Sequence, residues 1–228
     1  MAGKFNVSSS PHVRDNSSTA NIMKDVCIAM IPTLAFGCFQ FGLSALIVVI
    51  CTVLACVLAE YLYEKVMNKP VTIGDFSAVV TGLILALNMP PQIPVWMPIL
   101  GGVFAIIVVK QLYGGLGQNF MNPALAARCF MLISFAGSMT NFSSVAMNYD
   151  SSSTPTPLAF LKAKGITDAL EQYNLVNIFL GRIPGTIGEV STIALLIGAI
   201  YLVVRKVISL RIPVIYIATV AVFVFLFG

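Results

Sequence analysis

Residues 43–64 read LSALIVVICTVLACVLAEYLYE, and this stretch decides the fold. Residues 43–59 carry no charge, and the whole stretch reaches the length of about 20 mostly apolar residues that a helix needs to cross a bilayer. Glu60 and Glu64 follow, four residues apart and therefore on one face of the last turns. The stretch predicts a transmembrane helix that ends in a pair of carboxylates.

Apolar residues make up 58% of the chain and charged residues only 10%, whereas soluble domains carry about a quarter charged residues. So much apolar surface requires lipid as the solvent. Further apolar segments occupy residues 23–40, 75–90, 95–113, 122–139, 188–205 and 212–228. The sequence therefore predicts an all-α integral membrane protein, a polytopic bundle of about seven helices over residues 22–228.

The lysines and arginines predict the orientation of these helices, because cytoplasmic flanks are enriched in both. With seven alternating spans, ten basic residues fall inside and three fall in the long loop of about residues 140–187. The polar tail of residues 1–21 lacks the apolar core of a signal peptide, and we expect it to be cytoplasmic. The loop is then external.

Several kinds of site are excluded by composition. His12 is the only histidine, so no histidine-based metal site and no Ser-His-Asp triad can be built. The five cysteines lack CxxC spacing, and a disulfide or metal cluster is not expected. No basic stripe exists that would bind nucleic acid.

The external loop contains Asp150-Ser151-Ser152-Ser153-Thr154-Pro155-Thr156. Its pattern, Asp-x-x-Ser-x-x-Thr, resembles the signature at which a flavin transferase esterifies a threonine hydroxyl with the phosphate of FMN. Proline on either side of Thr156 stiffens the backbone and presents the hydroxyl. The alternative is an ordinary Ser/Thr-rich linker.

A second stretch reads Gly114-Gly115-Leu116-Gly117-Gln118-Asn119-Phe120-Met121-Asn122-Pro123-Ala124. Its three glycines allow a tight turn and a close approach to a ligand. Asn119 and Asn122 are three apart and offer paired amides, which suit the pyrimidine edge of an isoalloxazine ring. The alternative is a turn in which asparagine caps a helix.

Three glutamates are candidates for a cation path. Glu189 enters a membrane segment, where a charge is costly and by default functional, although it could also be a carboxylate at a helix N-terminus. Glu60 and Glu64 could form a cation entry site, or could be interfacial residues of which one pairs with Lys65. Asp75 precedes a helix start and is expected to cap it.

The order and spacing of these motifs resemble the family that contains the D subunit of the Rnf complex and the B subunit of the sodium-pumping NADH:quinone reductase. The segments that carry the resemblance are residues 22–26, 74–82, 114–124, 150–158, 185–191 and 195–198. The resemblance implies a bundle built from two inverted five-helix repeats, of which the last three helices would be absent from this chain.

The resemblance also implies a function. Members pass electrons between ferredoxin and NAD in the cell membrane of bacteria or archaea and couple this to Na+ or H+ transport. Their expected partners are the other Rnf subunits (A, B, C, E and G), membrane lipid and a maturing flavin transferase. The residues implied to hold covalent FMN are Asp150, Ser153 and Thr156, and those implied to hold a non-covalent riboflavin are Gly114, Gly115, Asn119 and Asn122.

Two other functions fit the sequence and stay open. Broken helices and Glu189 would also suit a channel or a passive transporter without a redox role. A membrane scaffold without a cofactor would hold partner subunits, and electron transfer would then not depend on Thr156.

Overall fold

A computed structural model describes residues 18–142, 175–181 and 183–227, and all regular secondary structure in these residues is helical. The predicted fold class, a polytopic helix bundle, is confirmed. The elements are α1 (Thr19–Phe41), α2 (Leu43–Val66), a 3-10 turn (Ile73–Asp75), α3 (Ser77–Leu87), α4 (Trp96–Phe104, continued as a π-helix over Ala105–Gln111), α5 (Pro123–Ser134), α6 (Ala136–Met139), α7 (Leu175–Leu180), α8 (Thr192–Val204) and α9 (Arg211–Phe227).

Each of the seven predicted segments contains a helix, but only α1 and α2 are long and apolar enough by themselves to cross a membrane. The segment over residues 75–90 is a helix only from Ser77 to Leu87, because Pro90 and Pro91 cannot donate the backbone hydrogen bonds that would continue it. The segment over 122–139 divides at Phe135, whose backbone leaves the helical region (φ −135°, ψ 47°). A short helix, α7, lies within the stretch expected to be a loop.

The half-length helix α3 packs on α2 through small residues. At Gly82, a β-carbon would lie 2.8 Å from the Cα of Val53, so only glycine allows this approach of the two backbones. The core around the pair consists of fully buried residues from α2, α3, the α3–α4 loop, α4 and α5, among them Ala45, Leu85, Met89, Ile106 and Met131. This packing therefore fixes the position of both ends of α3 relative to α2.

Helix α8 runs antiparallel to α1. Gly198 of α8 faces the carbonyl of Ala29, and further along, Arg205 donates to the carboxylate of Asp25 at 3.3 Å. Since α3 returns along α2 and is thus parallel to α1, α3 and α8 point in opposite directions. Both helices follow nearly the same sequence, TIGDFS at residues 72–77 and TIGEVS at residues 186–191. This relation is that of inverted repeats.

The loop before α8 satisfies the backbone at the end of α3. The N–H of Gly188 donates to the carbonyl of Leu87 (2.8 Å), and the N–H of Ile187 donates to the carbonyl of Met89 (3.1 Å). A β-carbon on Gly188 would lie 3.0 Å from that Leu87 oxygen. Broken helices are tolerated at membrane depth only where other protein groups satisfy their backbone, as they do here.

Candidate functional site

The glycine-rich turn between α4 and α5 needs its glycines. Gly114, Gly115 and Gly117 have φ values of +116°, +99° and +86°, a region that side chains other than glycine adopt only with strain. At Gly114 a β-carbon would also collide with the side chain of Gln118. The turn thus reverses the chain tightly before α5 begins, as the sequence predicted.

The two asparagines of this turn have different roles in the structure. Oδ1 of Asn122 accepts from the N–H groups of Ala124 (3.0 Å) and Leu125 (3.3 Å) and caps α5. The capping interpretation is therefore confirmed for Asn122, whose Nδ2 is left as a donor. Asn119 donates through Nδ2 to the carbonyl of Met121 at 2.7 Å. The part of either residue in flavin binding stays a prediction.

A cavity of about 520 Å³ opens beside the turn, between α4 and α5. Its size is within the range of small-molecule sites, about 300–1,000 Å³. Asn122 is part of its wall, whereas Gly114, Gly115 and Asn119 are not. The lining residues are Phe104, Val108, Val109, Tyr113, Phe120, Met121, Asn122, Leu125, Ala126 and Cys129.

The walls of this cavity suit a flat aromatic ligand. Phe104 of the wall stacks on Phe130, which is not a lining residue, with ring centroids 4.3 Å apart and an interplanar angle of 10°. Tyr113 and Phe120 meet at 4.7 Å with their rings tilted by 54°. Apolar walls with a few polar residues, here Asn122 and Tyr113, are typical of cofactor sites. An isoalloxazine ring fits this chemistry.

A second group of polar side chains lies between α2, the start of α3 and the π-helical part of α4, and all of its members except Thr72 are buried. We call it the carboxylate–lysine cluster. It consists of Glu60, Glu64, Thr72, Ser77, Lys110 and Gln111. The side chains of Glu60 and Lys110 are 0% and 3% exposed, so the centre of the cluster is isolated from solvent in this chain.

Glu60 and Lys110 form the centre of the cluster. Nζ of Lys110 lies 2.6 Å from Oε1 of Glu60 and also donates to the hydroxyl of Ser77. Nε2 of Gln111 donates to the same Glu60 oxygen at 2.8 Å. The other oxygen, Oε2 of Glu60, is buried without a hydrogen-bond partner. Because a buried lone pair normally finds a donor, this oxygen is an unusual feature of the cluster.

Glu64 lies one turn closer to the end of α2 and is held by Thr72. The backbone N–H of Thr72 donates to Oε2 of Glu64 at 3.0 Å, and its hydroxyl donates to Oε1. Gln111 reaches the same oxygen at 3.3 Å and so bridges the two carboxylates. The cluster thus contains two carboxylates and one ammonium, and one negative charge is left over when all three are ionised.

The π-helix explains why Lys110 and Gln111 can both reach α2. Ala105–Gln111 has i→i+5 hydrogen bonds, for example from the N–H of Leu112 to the carbonyl of Ile107 at 3.0 Å. This wider turn brings consecutive residues to one side of the helix. Such π segments are rare and often lie at functional sites.

The structure corrects one interpretation of Glu60 and Glu64. Neither pairs with Lys65, whose Nζ lies over the ring of Tyr61 at 5.7 Å from its centroid. Glu60 pairs instead with Lys110, 50 residues away along the chain, and Glu64 accepts from Thr72 and Gln111. The sequence did contain a signal for Lys110, because a lysine inside the apolar segment 95–113 is itself a functional candidate. Asp75 accepts from the N–H of Ser77 at 2.8 Å, although the N-cap position of α3 is Phe76.

Glu189 is not part of this cluster. It is exposed and lies 3.5 Å from Nη1 of Arg128, which also donates to Oδ1 of Asn88 at 2.6 Å. Asn88 follows the C-terminal end of α3, whereas Ser77 of the cluster begins it. A helix of 11 residues is about 16 Å long. The three glutamates predicted for a cation path therefore lie at opposite ends of α3.

The predicted residues for covalent FMN, Asp150, Ser153 and Thr156, lie outside the described residues. Within the described part of the chain, no group of three or more His, Cys, Asp or Glu side chains is arranged to hold a metal ion. The aromatic cavity and the carboxylate–lysine cluster, both adjoining the π-helix, are thus the two candidate sites that the structure describes.

Comparison with known proteins gives the relatives of this chain. The sequence profile of the NQR2, RnfD, RnfE family matches residues 6–228. The D subunit of the Na(+)-translocating ferredoxin:NAD(+) oxidoreductase complex of Acetobacterium woodii is 49% identical over 97% of this chain and 69% of its own length. Its proton-translocating counterpart from Clostridium ljungdahlii is 44% identical over 98% of this chain and 70% of its own length. The D subunit of an ion-translocating oxidoreductase complex of Escherichia fergusonii is 35% identical over 95% of this chain and 71% of its own length.

Proposed function

The chain belongs to the NQR2, RnfD, RnfE family, and we propose that it is the membrane subunit of an ion-translocating ferredoxin:NAD oxidoreductase. The observation that supports this most strongly is the 49% identity, over 97% of the chain, with the D subunit of such a complex. The complex would be an oxidoreductase and a cation pump. Its remaining subunits would be the partners of this chain, and membrane lipid its solvent.

We propose that FMN is attached to Thr156 through its phosphate. The support is the Asp150–Ser153–Thr156 signature in a loop that the basic residues predict to be external. Bound flavin would supply the one- and two-electron redox chemistry that protein side chains lack. The chain itself would anchor the phosphate, so that the ring is retained through every turnover.

Flavin fluorescence tests this attachment directly. The chain is co-expressed with a flavin transferase, denatured in SDS and viewed under ultraviolet light after electrophoresis. We expect a fluorescent wild-type band, a dark band for Thr156→Ala and a fluorescent band for Thr154→Ala, which removes a neighbouring hydroxyl of the same loop. A dark wild-type band, with the transferase active on another substrate, would favour the channel or scaffold function.

We propose that the cavity between α4 and α5 holds the non-covalent riboflavin. The aromatic residues of its wall, Phe104, Tyr113 and Phe120, would hold the ring, and Nδ2 of Asn122 would donate to it while Oδ1 keeps its role as helix cap. Gly114 and Gly115 would act by shaping the turn beside the cavity. This assigns them an indirect role, since neither is part of the cavity wall.

We propose that the carboxylate–lysine cluster is a station for the transported cation. Its excess negative charge and the unpartnered oxygen of Glu60 suit a proton or a hard monovalent cation, which prefers oxygen ligands. Lys110 would hold Glu60 in place when no cation is bound. Glu189 and Arg128, at the other end of α3, would form a separate station on the same route.

Ion uptake by the assembled complex tests the cation station. In proteoliposomes, Glu60→Gln is expected to keep electron transfer from ferredoxin to NAD while lowering cation uptake for each electron transferred. Glu171→Gln, a carboxylate of the predicted external loop, is the matched control. Unchanged uptake in Glu60→Gln would exclude the cluster from the route.

A further inference from the structure

A second apolar groove lies on the opposite side of α4 from the aromatic cavity, and nothing in the proposed function uses it. It has a volume of about 480 Å³ and runs between α2 and α4. On α2 it is lined at every turn from Ala55 to Val66, with Met67 just after the helix, and on α4 by Ile99, Val103 and Ile107. Ala59 is buried at its floor, whereas Leu62 on its rim is 57% exposed.

The length of the groove fits one leaflet of a bilayer. From Ala55 to Val66, α2 rises about 17 Å, and one leaflet contributes about 15 Å to a hydrocarbon core of ~30 Å. A transmembrane helix of a partner protein would instead continue along the full thickness. The dimensions therefore favour a single lipid acyl chain.

A basic side chain stands at the open end of the groove. Nζ of Lys69 lies 5.0 Å from the ring centroid of Tyr63, and Tyr63 is part of the groove wall. Within the described residues, Lys69 forms no ion pair. Its nearest polar contact is the backbone carbonyl of Gln111 at 3.4 Å. Lys69 is exposed and can thus offer its charge to a headgroup at the level where α2 ends.

We propose that this groove is a binding site for an anionic phospholipid. Its phosphate would contact Lys69 while one acyl chain fills the groove between α2 and α4. A basic residue at the end of a groove between helices is the arrangement that recognises anionic headgroups. Lys65 is close in sequence, but it lies over Tyr61, which is not part of the groove wall.

This geometry provides a matched pair of variants. Lys69→Gln and Lys65→Gln each remove one exposed lysine from the same end of α2, but only Lys69 stands at the groove. The test titrates phosphatidylglycerol, and phosphatidylcholine with the same acyl chains, into the delipidated complex and counts bound lipids by native mass spectrometry. A third variant, Ala55→Phe, fills the inner end of the groove without changing charge.

The wild-type complex is expected to bind phosphatidylglycerol more tightly than phosphatidylcholine. Lys69→Gln should weaken phosphatidylglycerol binding about fivefold, since one basic residue near a membrane surface contributes about 1 kcal/mol. Lys65→Gln should leave it unchanged, and Ala55→Phe should weaken the binding of both lipids.

Three outcomes would overturn the proposal: equal binding of the two lipids by the wild type, equal effects of the two lysine substitutions, or a photo-crosslink from Leu62 to a partner protein, which would show that protein fills the groove. Because both lysines are exposed, their comparison decides the matter even where Ala55→Phe fails to assemble.

Discussion

Removing the ammonium of Lys110 should reveal how strongly the buried cluster depends on its charges. At 2.6 Å from Glu60, and with an effective dielectric constant of ~20, the gross attraction of the pair is about 6 kcal/mol. Lys110→Met keeps the length of the side chain but leaves the Glu60 carboxylate buried with only weaker donors. The free energy of unfolding should fall by about 3–5 kcal/mol, as it does when one partner of a buried pair is removed.

Glu60→Gln completes a double-mutant cycle with Lys110→Met. When both charges are removed, no buried ion is left without a partner, and the glutamine can still accept from Gln111. The double variant should therefore lose about 2–3 kcal/mol less than the sum of the two single variants. The measurement is unfolding of the purified chain by increasing SDS mole fraction, followed by far-ultraviolet circular dichroism.

Lys65→Met is the control for this cycle. It removes an exposed lysine near the same end of α2, and surface changes of this kind stay within about 0.5 kcal/mol. Additive losses in the double variant would refute the reasoning, since they would mean that Glu60 and Lys110 do not stabilise one another. An equally large loss in Lys65→Met would show that the assay reports general charge effects.

Three further predictions concern the rest of the site. Asn122→Ala should destabilise the chain by about 1 kcal/mol in the same SDS titration, because the helix cap is lost. Asn122→Asp should keep the cap and the stability. It should nevertheless lower the amount of riboflavin that can be extracted from the purified complex, because the Nδ2 donor is lost. Cys129, an exposed thiol in the cavity wall, should react with a maleimide more slowly when riboflavin is added. Gly198→Val should prevent the approach of α8 to Ala29 and lower the yield of assembled complex, and a normal yield would contradict the packing argument.

The helices could be predicted from sequence because lipid imposes a simple rule on composition. Uninterrupted apolar stretches such as residues 43–59 must be helical in a bilayer, since only a helix satisfies its own backbone there. The turn at Gly114 was predicted for a similarly local reason, its run of glycines. The predicted segments begin at residues 75 and 188, two and four residues before the helices that start at Ser77 and Thr192. The short turns before these helices contain apolar residues as well as polar ones, so the apolar pattern does not show where the helix begins.

The carboxylate–lysine cluster could not be predicted from local sequence. Glu60 and Lys110 are 50 residues apart, and Lys65 is the nearer cation along the chain. What decides between the two lysines is the packing of α2 against α4 together with the π-helix that turns Lys110 inward. Neither of these follows from hydropathy or from residue spacing, since a π-helix over residues 105–111 has the same apolar composition as an α-helix.

Helix α3 relates the two groups of charges to the repeated sequence. Its first residue, Ser77, closes the copy TIGDFS and accepts from Lys110. Its far end is bonded to the loop that contains the copy TIGEVS, through Gly188 and Leu87, and there Glu189 pairs with Arg128. The first copy thus supplies a hydroxyl, Ser77, to the lysine of the Glu60–Lys110 pair, whereas the second supplies the acidic residue of the Glu189–Arg128 pair. A change in the position of α3 would alter the hydrogen bond from Lys110 to Ser77 and the one from Arg128 to Asn88 together, which is a direct way for one half of an inverted repeat to affect the other.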